Sequence, residues 1–122
     1  WQHPQHVQAG EGWRVLTGDW LGVSFCNTDW GADDALYAPG IEANCGTCGL
    51  VVTRAVGKLQ LVKSFLAMET GGHLATDANS YFRIDKWRVE PDDVDHLDLS
   101  GRSVPVQTCS AEVVPSAMTL LG

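Results

Sequence analysis

The chain is short of positive charge. Eight Lys and Arg stand against fifteen Asp and Glu in 122 residues, for a formal net charge of −7. A surface of that sign repels the phosphate backbone of nucleic acids and the headgroups of anionic membranes, so neither is expected as a partner. No apolar run is long enough to cross a bilayer. No signal peptide opens the chain, which begins at Trp1, and the expectation is a processed mature chain. Repeats and low-complexity tracts are missing too. The length fits one domain with a modest core.

Cysteine is scarce but patterned. Cys26, Cys45, Cys48 and Cys109 form a C…CxxC…C frame. A redox CxxC caps a helix whose N-terminus stabilises the thiolate. Here Gly49-Leu50-Val51-Val52-Thr53 follows, a β-branched run that reads as a strand. A structural zinc site needs two close ligand pairs, and Cys26 and Cys109 are singletons. Two disulfides are the remaining use, with Cys26–Cys45 and Cys48–Cys109 as the expected pairing. They would place the chain in an oxidising compartment, secreted and extracellular.

Residues 1–12 read as a flexible arm, residues 13–112 as the folded domain, and residues 113–122 as a C-terminal tail. Short apolar segments around Val15, Val23, Leu50–Thr53, Leu59–Val62 and Val104 read as strands, separated by Gly-containing turns. Ser64 to Met68 can extend the Leu59 strand. Ala78, Tyr81, Phe82 and Asp85 fall at i, i+3, i+4 and i+7, which predicts a short helix over 77–86 with Thr76 or Asp77 as its cap. The class expected is mainly β, a small barrel with one helix.

Gly22-Val23-Ser24-Phe25-Cys26 and Ala43-Asn44-Cys45-Gly46-Thr47-Cys48, followed by Gly71-Gly72, Phe82-Arg83-Ile84-Asp85 and Val104-Pro105-Val106 ahead of Cys109, resemble the barwin and cerato-platanin group, to which expansins are related. The resemblance implies a six-stranded double-psi β-barrel with a polysaccharide groove. Its hydrolytic members carry two Asp where this chain places Lys63 and Ala75. Glycoside cleavage needs two carboxylates about one bond. The resemblance therefore implies a secreted, non-catalytic module that binds chitin or glucan oligomers, acting in plant–microbe contact or wall loosening. The alternatives are a hydrolase on the same barrel, using Asp77 with Asp19 or Asp29, and a protein-recognition module that meets a host protein through residues 27–44.

Trp30, beside Asp29 in a polar loop, is the expected sugar-stacking platform. Trp13, Trp20 and Trp87 read as core. Asp77, Asn79 and Tyr81 can hydrogen-bond hydroxyls, and equally Asp77 is an N-cap and Tyr81 a core residue. His73 follows the Gly-Gly turn and can face the groove, although a lone His is as readily a satisfied structural residue. Asp92, Asp93, Asp95 and Asp98 lack EF-hand spacing and read as a solvated turn. No catalytic residue, metal ligand or cofactor is assigned, and the chain is expected to be a monomer.

Overall fold

The computed structural model describes residues 5–8, 12–42, 44–92, 96–105 and 107–116. At its centre lies β6 (Cys48–Arg54), whose first five residues are all buried. A continuous apolar run of this length is what a strand covered on both faces requires. Antiparallel neighbours flank it: β3 (Trp20–Cys26) on one side and β7 (Asn79–Ile84) on the other. The register sets Phe25 against Leu50, Val23 against Val52, Leu50 against Phe82 and Val51 against Tyr81.

Core residues Ala38, Ile41, Val51, Val52 and Ala78 are essentially sealed from solvent. Each buried Ile or Val side chain contributes about 1.5–3 kcal/mol. Gly49 makes this packing possible. A Cβ there would lie 2.9 Å from Ala38 Cβ and 3.0 Å from Tyr81 Cε2, so the 38–41 segment rests directly on the β6 backbone.

Two-stranded antiparallel ladders make up the remainder: β1 (Gln5–Gln8) with β2 (Arg14–Thr17), β4 (Trp30–Ala32) with β5 (Ala35–Leu36), β8 (Lys86–Val89) with β11 (Cys109–Glu112), and β9 (His96–Leu99) with β10 (Arg102–Pro105). Ser100 and Gly101 join the last pair, both at positive φ, as a two-residue hairpin turn of matching twist demands. Asp98 Oδ1 accepts the Gly101 N–H at 2.8 Å and pins that turn.

The single α-helix among the described residues, α1, spans Lys58–Leu66. Two 3-10 turns follow it, Ala67–Thr70 and Gly72–Ala75, hinged at Gly71 with φ 74°. A Cβ at Gly71 would lie 3.0 Å from Pro39 Cγ, so both conformation and space favour glycine there.

The chain is mainly β with one short helix, as expected, but three finer expectations fail. The strands do not close into a six-stranded double-psi barrel. Among the described residues they form one three-stranded sheet and four separate ladders. The helix is not at 77–86. Most of that stretch is β7 (Asn79–Ile84), where Tyr81 and Phe82 find cross-strand partners in β6, and the 59–68 stretch read as a strand is α1 and the turn after it. Nor do disulfides form. Cys26, Cys45, Cys48 and Cys109 are all free, with no pair at bonding distance. Register explains why. Cys26 sits opposite Gly49, Cys48 opposite Ile84, and Cys109 opposite Val89 in a different ladder.

Candidate functional site

Helix α1 is built inside out. Its buried residue is a serine, Ser64, at 2% exposure. Its large apolar residues face solvent: Leu59 72%, Val62 52%, Phe65 60% and Leu66 76% exposed. At 3.6 residues per turn these four fall within an arc of about 120°, with Ser64 roughly opposite. Large exposed apolar patches and buried polar groups are the informative exceptions to ordinary burial.

Local signals do little to hold this helix. Gly57 caps it without a side-chain hydrogen bond, and no acidic residue lies in its first turn. Its anchor is tertiary. Ser64 Oγ accepts from Asn79 Nδ2 at 2.8 Å, and the same amide donates to His73 O at 3.0 Å. Thr53 Oγ1 donates to Asn79 Oδ1 at 2.7 Å, and Thr76 Oγ1 donates to His73 O at 2.7 Å. One amide side chain thereby ties β6, β7, α1 and the 3-10 turn together. Beside it, a shallow concavity of about 500 Å³ is lined by Gly57, Leu59, Gln60, Lys63 and Thr76.

His73 belongs to the same buried network through its main-chain oxygen. It is fully buried and stacked on Tyr37, with ring centroids 5.3 Å apart. Its Nε2 lies 3.0 Å from Tyr37 O. A carbonyl only accepts, so Nε2 carries the proton and Nδ1 is bare. Nδ1 is buried with no hydrogen-bond partner. Burial holds the His73 pKa below its ordinary value, outweighing the opposing hydrogen bond to Tyr37. The ring is neutral at pH 7.

The residues expected to bind ligand divide between places. His73 and Asn79 meet in the buried network under α1. Asp77 is exposed on the turn before β7. Tyr81 donates its hydroxyl to Pro39 O at 2.9 Å. Trp30, 48% exposed, stands in β4, while the Asp29 carbonyl accepts from the Tyr37 and Ala38 N–H groups at 2.9 Å. Of the tryptophans read as core, Trp87 is half-buried and stacks on Phe25 at 4.1 Å, Trp20 is half-buried, and Trp13 is 41% exposed. Part of the acidic 92–98 turn lies outside the described residues. Among the described residues no three His, Cys, Asp or Glu converge as a metal-binding group.

Sequence reasoning missed the exposed stripe of α1. The signal was present: Leu59, Val62 and Leu66 recur at i, i+3 and i+7, with no Gly or Pro from Lys58 to Thr70.

Comparison with known proteins redirects the functional reading. No family model matches the chain. Sphingosine kinase 1 of Arabidopsis thaliana is 28% identical over 102 residues, 83% of this chain and 21% of that protein. Sphingosine kinase 2 of the same plant is 27% identical over 90 residues, 73% of this chain and 19% of that protein. The chain thus spans about a fifth of the length of the curated relatives it matches. These relatives overturn the barwin and cerato-platanin resemblance, and with it the non-catalytic polysaccharide-binding module and its cell-wall setting. The sharpest part of that resemblance was the five-residue run from Asn44 to Cys48, too short to specify a fold.

Proposed function

We propose that this chain is the lipid-facing segment of a lipid kinase related to the sphingosine kinases. The observation that carries the reading is the outward apolar arc of α1. A long-chain amino alcohol such as sphingosine presents an aliphatic tail that must leave water, and Leu59, Val62, Phe65 and Leu66 offer a surface for it. The Ser64–Asn79–His73 network fixes that surface from beneath, so α1 keeps its orientation although its local sequence caps it poorly. Phosphoryl transfer itself is assigned to no residue of this chain.

The test is titration of the chain with a fluorescent long-chain amino alcohol. Wild type should bind saturably. Phe65→Asp and Val62→Asp alter exposed positions, so the fold should persist while binding weakens. Burial of an aromatic or aliphatic side chain contributes about 1.5–3 kcal/mol, and each 1.4 kcal/mol is about tenfold in affinity, so each substitution should weaken binding by roughly tenfold or more. No binding by wild type, or equal binding by both variants, overturns the proposal.

A further inference from the structure

The three cysteines around the start of β6 occupy different environments, and the lipid reading leaves them unused. Cys45 sits on the bend that leads into β6, half-buried, with Gly46 at φ 74° directly after it. Its Sγ lies 3.2 Å from Thr47 Oγ1 and 3.3 Å from Thr47 O. Arg83, from β7, donates through Nη2 to Thr47 Oγ1 at 3.3 Å, which brings a guanidinium to the same bend. Cys48, three residues on, is the buried first residue of β6. Cys26 is on the neighbouring strand, opposite Gly49.

We propose that Cys45 is a peroxide-sensitive thiol and that Cys48 resolves it, so that the 45–48 bend closes into a disulfide under oxidation. Hydroxyl and guanidinium donors stabilise a thiolate, and the thiolate is the nucleophile. The chemical environments agree. Hydrogen bonds from Thr47, side chain first and then main chain, with lesser help from the Glu42 main chain and Arg83, lower the Cys45 pKa to about 7. Burial raises Cys48, with Asp85 and Cys45 adding to it, and burial raises Cys26 with a further push from Cys48. One thiol is thereby activated and its two neighbours are held as thiols.

The chemistry balances with hydrogen peroxide as oxidant. The Cys45 thiolate attacks one peroxide oxygen. The S–O bond forms, the O–O bond breaks, and the departing hydroxide takes a proton to become water. Cys45 is then a sulfenic acid, oxidised by two electrons. The Cys48 thiol attacks that sulfur. The S–S bond forms, the S–O bond breaks, and the hydroxyl leaves as water with the Cys48 proton. The two sulfurs are not at bonding distance in the reduced chain, so closure asks the 45–48 bend to tighten until its Cα atoms lie about 4.4–6.8 Å apart.

The experiment is site-resolved mass spectrometry on the full chain at pH 7. With a limiting alkylating agent, Cys45 should be labelled at least tenfold faster than Cys26 or Cys48, as expected for a thiolate fraction near half against neighbours that burial keeps as thiols. Thr47→Val and Arg83→Gln should slow Cys45 labelling while circular dichroism stays unchanged. Peroxide should join Cys45 to Cys48, and Cys48→Ser should instead trap a sulfenic acid at Cys45. Equal labelling of all four cysteines overturns the proposal, as does insensitivity to Thr47→Val. A peroxide product that joins Cys45 to Cys26 or Cys109 overturns the role of Cys48. None of these readouts depends on lipid binding.

Discussion

Asn79 shows what one side chain can hold. Its amide donates to Ser64 Oγ and His73 O in a buried setting and accepts from Thr53 at a half-buried one. Asn79→Ala takes this partner from the Ser64 and Thr53 hydroxyls, at about 1–3 kcal/mol for each buried group left unpaired, while His73 O keeps its bond from Thr76. The denaturation midpoint should fall markedly, and urea unfolding of the variant checks it. His73 carries a pH prediction. Its folded pKa lies below the ordinary value of 6.5 because burial disfavours the charged ring. The unfolded chain therefore binds more protons below that value. Stability is fully present above about pH 6.5 and declines as pH falls toward the depressed folded pKa. Unfolding midpoints measured between pH 7.5 and pH 5 should show the decline, and His73→Gln should flatten that part of it. Sequence alone singled out His73 and Asn79, His73 either as a groove residue or as a satisfied structural one and Asn79 as a partner for hydroxyls. Burial turned them inward, and burial depends on neighbours 15 to 40 positions away, such as Tyr37 and Ser64, which no local pattern reveals.

At the scale of elements, β6 was legible and α1 was not. Leu50 to Thr53 is an unbroken β-branched run, and it forms the central strand. The 58–66 stretch contains Leu, Val and Phe that satisfy either period, and its apolar face points away from the core, so burial did not help decide. The 79–84 stretch satisfies a helical spacing through Tyr81 and Phe82, yet pairing with β6 gives it more. The approach of the 38–41 segment to Gly49 supplies the element-scale prediction. Gly49→Val places a branched side chain where even a Cβ meets Ala38 at 2.9 Å. Overpacking of this kind costs about 1–3 kcal/mol. A substantially lowered melting temperature should result, whereas Gly57→Ala, where a Cβ meets nothing within 4 Å, should be tolerated.

For the whole molecule, the outline of a mainly β chain with one helix was readable from strand-length apolar segments and Gly turns. Closure was not. Whether ladders join into a barrel depends on long-range pairing, and the cysteine frame that suggested it proved to be four free thiols. The strand order has a practical consequence. Among the described residues β3 pairs only with β6, so one side of its backbone has no ladder partner. Its sequence, Trp20-Leu21-Gly22-Val23-Ser24-Phe25-Cys26, has no charged residue, and Leu21 and Val23 are exposed. Such an edge is a template for strand addition by another copy. What opposes it is the net charge of −7, which keeps copies apart through a repulsion that salt screens, the Debye length falling to about 8 Å at physiological ionic strength. Light scattering should therefore rise as sodium chloride is added, and Val23→Lys, a charge set on that open edge, should hold the protein in solution.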